Sequence, residues 1–230
     1  MASMETELRV QATSIVSFLK GLRITAKLPR GIDVLDPYAD PAVLELCNQF
    51  YHKYYNDTHS RILILGINPG RFGSGTTGIS FTDPIKLEKY CGIRNDLAKK
   101  PELSADFIYA MIDAYGGPRA FYSKYFVSAV SPLGFTSKGK NINYYDLPAL
   151  EKAVTPFMVQ SINQMITIGM SREKCFCIGG DKNLKALTRM NNIHNWFDEI
   201  IPLPHPRFIM QYRRKKMQEY IDLYLTALSS

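Results

Sequence analysis

The chain predicts an α/β fold of three layers, α/β/α, with a central, mostly parallel four-stranded sheet between helices. Three observations carry that expectation. Arg61–Leu65, Tyr125–Val130, Lys174–Ile178 and Glu199–Ile201 are short runs rich in apolar residues, without the polar alternation of a sheet that faces water. Helical periodicity fills the stretches between them. Each run leads into glycine, proline or polar residues, and in a parallel sheet such loops share the carboxyl edge, where open α/β sheets bind ligands.

The elements follow in order. Leu8, Ala12, Ile15, Phe18, Leu19 and Leu22 recur at helical spacing. Asp40-Pro41 reads as N-cap and first helical residue of a helix running to about Tyr55. After the Arg61 strand, a Gly/Thr/Ser-rich loop extends through Thr82. Ser104–Tyr115 is helical and closes at Gly116-Gly117-Pro118. The Tyr125 strand meets Ser131-Pro132 and a polar loop over Phe135–Tyr144. Asp146 is the expected cap of a long helix to Ile168, stopped by Gly169. Gly179-Gly180 follows the third strand and precedes a helix around Asn183–Met190. The last helix is expected to run unbroken over Phe208–Leu228, burying Met210, Met217, Tyr220, Ile221, Tyr224 and Leu225.

At 230 residues, 46% hydrophobic and 21% charged, the chain can bury a substantial core. One domain over residues 1–230 is expected, helical over the first quarter and built on the sheet thereafter. No apolar stretch approaches the length that spans a bilayer, and Glu5 and Glu7 interrupt the opening residues. The expectation is a protein without membrane partner or secretory leader, cytoplasmic, or nuclear if its source has a nucleus. Cys47, Cys91, Cys175 and Cys177 match no zinc or iron–sulfur spacing. Reduced core thiols and no metal site are therefore expected. The net charge of +7 favours a polyanionic partner, and Arg207, Arg213, Arg214, Lys215 and Lys216 cluster within ten residues. The plainer reading of that cluster is the solvated face of a helix.

Chemistry concentrates in two proline-stiffened segments. Gly66-Ile67-Asn68-Pro69-Gly70-Arg71-Phe72-Gly73 follows the first strand directly, with Pro69 fixing φ and Gly70 permitting close approach. Pro204-His205-Pro206-Arg207 presents a histidine in the same manner. The glycines at 66, 70, 73, 75 and 78 fit neither a dinucleotide fingerprint nor a Walker loop. Taken singly, Asn68 reads as a turn former and His205 as a packed or solvated histidine; only the combination points to a site.

That combination resembles the uracil-DNA glycosylase superfamily, most closely its single-strand-selective monofunctional branch, whose first motif reads Gly-Met-Asn-Pro-Gly-Pro-Phe-Gly and then Thr-Gly-Val-Pro-Phe. Here it stands as Gly66–Gly73 and Thr77-Gly78-Ile79-Ser80-Phe81, with identical spacing. The second family motif, His-Pro-Ser-Pro-Arg, is matched by His205-Pro206-Arg207. Phe126–Pro132 and Gly139-Lys140-Asn141 resemble the family's substrate-reading strand and the loop after it. The resemblance spans about Arg61 to Arg214. It implies a metal-free, cofactor-free monofunctional DNA glycosylase of base-excision repair, a monomer acting on single- or double-stranded DNA that contains uracil or another deaminated base.

The resemblance also assigns residues. Asn68 orients the attacking water, and His205 donates to the departing base. Phe81 stacks on the base and Phe72 helps wall the pocket, with Gly66, Ile67, Gly70, Ser128, Ala129 and Asn141 around it. Arg71, Lys138, Lys140, Arg207, Phe208, Arg213 and Arg214 become the DNA contacts. Two departures stand out. Ala129 occupies the place of the family's base-reading Asn, leaving Ser128, Ser131 and Asn141 as nearby polar candidates. Phe208-Ile209-Met210 after the shortened second motif is either a wedge into the base stack or the inward-packed start of the last helix. Ala129 keeps open a nucleic-acid-binding protein of the same fold that excises nothing. A serine hydrolase lacks its Gly-x-Ser-x-Gly elbow.

Overall fold

The computed structural model describes residues 10–229. In chain order its elements are α1 (Gln11–Gly21), β1 (Ile32–Leu35), α2 (Pro41–Tyr54), β2 (Arg61–Gly66), α3 (Ser74–Thr77), α4 (Pro84–Lys89), α5 (Leu103–Ala114), α6 (Gly117–Tyr122) and β3 (Tyr125–Ala129). There follow β4 (Gly134–Ser137), β5 (Lys140–Ile142), α7 (Pro148–Thr167), β6 (Met170–Ile178), α8 (Asp181–His194), β7 (Glu199–Leu203), α9 (Pro206–Tyr212) and α10 (Met217–Ser229).

Strands pair in the order β3-β2-β6-β7, all parallel, and the fold is a three-layer α/β/α sandwich. The chain leaves β2 for β3 on one side, then passes back to β6 and β7 on the other. Strand order therefore reverses at β2, and the carboxyl end of that strand is the crevice where α/β sheets hold ligands. α6 packs on β3, whereas α7 and α8 pack on β6. Leu63, Ile64 and Leu65 of β2 are buried, as a strand covered on both faces requires.

The amphipathic first helix buries Ala12, Ile15, Phe18 and Leu19; Leu8 lies outside the described residues. Asp40 caps α2 by accepting from Ala42 N–H at 2.9 Å, with Pro41 at the first helical position. Cys47, Cys91, Cys175 and Cys177 are free and buried, and burial pushes the Cys47 thiol up to about 12.

Four sequence expectations need correction. The polar loop over Phe135–Tyr144 is the β4–β5 hairpin, turned at Lys138-Gly139, whose φ values of +48° and +70° suit the twist of a two-residue turn. It pairs with β1, a strand the helical reading of the N-terminal part missed, to make a separate antiparallel sheet in the order β1-β4-β5. Asp146 does not cap α7. Its carboxylate accepts from Asn143 N–H at 2.8 Å, and the helix starts at Pro148 without a side-chain cap. Gly117-Pro118 opens α6 rather than only closing α5. The last helix is broken: Arg213 leaves helical geometry, and Arg214–Lys216 forms a 3-10 turn before α10. Six consecutive polar or aromatic side chains there, from Gln211 to Lys216, include four cations that water solvates better than a packed helix face would.

The amino end of β2 is held by Arg61, which is 1% exposed. Its guanidinium donates to Tyr122 O at 2.8 Å, Tyr54 O at 3.1 Å and Gln11 Oε1 at 2.6 Å. It meets the Asp57 carboxylate through two bonds of 2.8 and 2.9 Å and stacks over the Tyr55 ring at 4.6 Å. One side chain thus joins α1, α2, α6 and the sheet. Replacing it with methionine is expected to cost about 3–5 kcal/mol, because the acceptors left behind stay buried. Equilibrium denaturant unfolding measures this; an unchanged midpoint would refute the assignment.

Candidate active site

A cavity of about 570 Å³ opens at the carboxyl ends of the strands. Asn68 enters it two residues beyond β2. Its amide is clamped: Oδ1 accepts from Tyr144 N–H at 3.0 Å, and Nδ2 donates to Ile142 O at 3.2 Å. Both partners belong to the β5 end of the hairpin, so the small antiparallel sheet fixes which atom of Asn68 points where. Oδ1 keeps one lone pair with which to hold a water molecule.

Opposite stands His205, the N-cap of α9. Its Nδ1 accepts from Arg207 N–H at 3.1 Å, which places the proton of the neutral ring on Nε2. Burial, aided by the nearby Arg207 charge, lowers its pKa to about 4. His205 is therefore a neutral N–H donor throughout the neutral range. The preceding residue is anchored from α10, where Tyr224 Oη donates to Pro204 O.

Phe81 forms the floor. Its ring lies on Gly66, where a β-carbon would come 2.9 Å from Cζ; only glycine at the end of β2 admits it. The ring stands 6.2 Å from that of His205, inclined by 61°. Phe81 has φ of +51°, a left-handed conformation costly for an aromatic residue. Thr77 enforces it, its hydroxyl donating to Thr82 O at 2.6 Å and accepting from Ile79 N–H at 3.2 Å.

The chain matches a sequence profile of the Uracil DNA glycosylase superfamily over residues 52–229. It belongs to that superfamily. Among solved structures it is similar to "WT Pedobacter heparinus SMUG2", at 47% sequence identity and a TM-score of 0.93, over 96% of this chain and 97% of that one. No curated protein matches it.

In this uracil-DNA glycosylase-type fold the cavity wall gathers most of the residues singled out in the sequence. Gly66, Ile67, Asn68, Gly70, Phe81, Ser128, Ala129, Asn141, His205, Arg207 and Phe208 all line it. Asn141 is held to the first motif by accepting from Arg71 N–H at 3.3 Å, which leaves its Nδ2 group beside Gly70. Phe72 is a correction. It does not line the cavity but points outward, 42% exposed, with the Arg71 guanidinium 5.1 Å and the Lys100 ammonium 5.3 Å from its ring centre. Both cations lie within cation–π range of its ring. Lys138 and Lys140 sit exposed at the hairpin tip, and Arg213 and Arg214 are exposed beyond α9, all outside the cavity wall. The three apolar residues after Arg207 divide: Ile209 and Met210 are buried, whereas Phe208 is 43% exposed at the cavity rim.

The sequence reading missed Glu102, Tyr38, Tyr145, Gln211 and Tyr212, all on the wall. Glu102 precedes a helix, where an acid signals only a favourable interaction with the helix dipole. Among the described residues no group of three or more His, Cys, Asp or Glu could hold a metal ion.

The depressed pKa of His205 makes the unfolded chain bind the extra proton between about pH 6.5 and about 4, so its contribution to stability is lost as pH falls through that window. Glu102, raised from 4.5 to about 7, acts oppositely, its contribution being lost as pH rises through about 7. His205→Asn, which preserves a capping group but does not titrate, should lose less stability than the native chain between pH 6.5 and 4. Parallel unfolding curves for the two proteins would contradict the buried neutral histidine.

Proposed function

We propose that the protein is a monofunctional DNA glycosylase that hydrolyses the N-glycosidic bond of uracil or another deaminated base in DNA. One observation carries this reading: a clamped Asn68 amide and an Nε2–H of His205 share one cavity with an aromatic floor. Hydrolysis of a deoxynucleoside proceeds through a sugar cation and an anionic base. It requires an aimed water, a donor to the base and exclusion of solvent, rather than a strong nucleophile. Asn68 aims the water, His205 donates to the base carbonyl oxygen, and Phe81 stacks beneath the ring. A preorganised donor toward such an anion is worth on the order of 10²–10³ in rate.

The target base must leave the helical stack or arrive unpaired, at a cost of a few kcal/mol. Phe208 is the side chain placed to fill the gap, being exposed, at the rim and next to Arg207. The exposed cations Arg213, Arg214 and Lys215, which follow α9 directly, serve as phosphate contacts. Lys138, Lys140 and Arg71 supply positive charge on the side of the hairpin and first motif.

Ala129 favours a second reading. It is buried at the end of β3, beside Gly66, and offers a methyl where a base-reading amide is expected. A protein that binds nucleic acid without excising would need no such amide. It would equally need no His205 tautomer fixed by a cap, and on that ground excision is preferred.

Incubation of uracil-, xanthine-, hypoxanthine- and 5-hydroxymethyluracil-containing oligonucleotides, single- and double-stranded, followed by cleavage of abasic sites, tests the reading. Asn68→Ala should nearly abolish release while DNA binding persists. His205→Ala should slow release by about 10²–10³, and a loss below about tenfold would remove its donor role. Reversing Arg213 and Arg214 to Glu should weaken DNA binding and flatten its dependence on salt; an unchanged salt slope would return these residues to a solvated helix end.

A further inference from the structure

Glu102 stands at the boundary of α5, where an acidic side chain ordinarily caps its own helix or faces water. It makes no capping bond, and its backbone N–H is held by Asp83 Oδ2 at 3.0 Å. The carboxylate instead joins the cavity wall and packs on the Gly70–Gly73 turn. A β-carbon at Gly73 would collide with Oε2, and one at Gly70 would lie 3.7 Å from Oε1. That turn begins two residues after Asn68. Among the described residues Glu102 forms no ion pair. Among the described residues it is the one carboxylate on the wall, and nothing in the mechanism above uses it.

Hydrolysis has a proton to place. The water oxygen bonds to C1′ of the sugar, the bond from C1′ to the base nitrogen breaks with its electron pair going to the base, and one water proton must leave. The Asn68 amide can aim that water but is far too weak a base to hold the proton. His205 has committed its free lone pair to Arg207 N–H. The Tyr38 and Tyr145 hydroxyls on the wall are pushed up by burial and keep their protons at neutral pH.

We infer that Glu102 is the proton acceptor for the water that Asn68 orients, and so a catalytic residue of this cavity. The proton then passes to the departed base anion, which restores the carboxylate and completes the hydrolysis. The inference rests on the base-excision reading.

The surroundings of Glu102 suit the task. Burial is the main influence and raises its pKa to about 7, close to where a general base is most effective. Arg207 on α9 favours the ionised form; Asp83 before α4 and Asp106 on α5 oppose it. Lys86 lies between those two carboxylates, 3.6 Å from Asp83 and bonded to Asp106, which moderates their effect. His205 is neutral above about pH 4 and adds no charge.

Single-turnover base release across about pH 5 to about pH 9 tests this with the native chain, Glu102→Gln and Glu102→Asp. The native rate should climb with pH and level off above about 7. Glu102→Gln should fall on the order of 10² below that plateau and lose the pH-dependent limb, whereas Glu102→Asp should keep the limb at a reduced rate. A merely structural role would leave the shape of the profile intact in all three. A Glu102→Gln protein that releases base within about threefold of the native rate, with the native pH limb, would overturn the proton-acceptor role alone. Absence of release from every base by the native chain would overturn the excision reading, and this inference with it.

Discussion

Strand β2 is pinned by buried polar groups at both ends, and the position of the whole candidate site depends on that. At its amino end Arg61 gathers carbonyls from three helices and the Asp57 carboxylate from the loop before the strand. At its carboxyl end the fully buried Asn183 donates to Ile178 O at 3.2 Å and lies 3.5 Å from Gly66 O, tying β6 to β2. Its Oδ1 accepts from Tyr144 Oη at 2.7 Å. The backbone N–H of the same Tyr144 holds Asn68. A chain of hydrogen bonds therefore runs from the sheet, through α8 and Tyr144 just beyond the hairpin, to the Asn68 amide. Buried polar groups of this kind are costly unless every partner is present, and so they permit one arrangement.

The site combines two kinds of rigidity. Asn68 is fixed by hydrogen bonds from a hairpin distant in sequence, while His205 is fixed by its own role as a helix cap. The cap does more than start α9: it selects the ring tautomer and, with burial, keeps the histidine neutral. Phe81 contributes strained backbone, stabilised by the Thr77 hydroxyl, and Gly66 leaves the space its ring fills. Around this rigid interior the cationic and aromatic residues are exposed: Phe72, Phe208, Tyr212 and the arginines after α9. Rigid interior and solvated rim match the division between reaction and DNA contact in the proposed function.

Local patterns made much of this legible. The four core strands, the α2 cap at Asp40 and the Gly169 stop could be read along the chain, because each depends on neighbours in sequence, whereas Asn68 and His205 were joined through the motifs of a family. The β1–β4–β5 sheet could not, since β1 and β4 lie about a hundred residues apart and each run is only four residues long. Phe72 was misplaced because a motif specifies spacing, whereas the direction of its side chain was decided by Arg71 and by Lys100, distant in sequence. Glu102 was passed over because an acid before a helix looks the same whether it faces water or a cavity.

By itself the sequence determined the layer order, the parallel sheet and a motif loop at the sheet's carboxyl edge, since hydrophobic periodicity and proline or glycine geometry act over a few residues. It also determined the family, through the motifs at 66–81 and 205–207. The tertiary structure alone decided which atom of Asn68 faces the cavity, which nitrogen of His205 carries the proton and that Glu102 shares their wall. Asn68 and Glu102 meet their surroundings through segments far apart in the chain, and the His205 tautomer follows from the cap geometry that forms only when α9 folds.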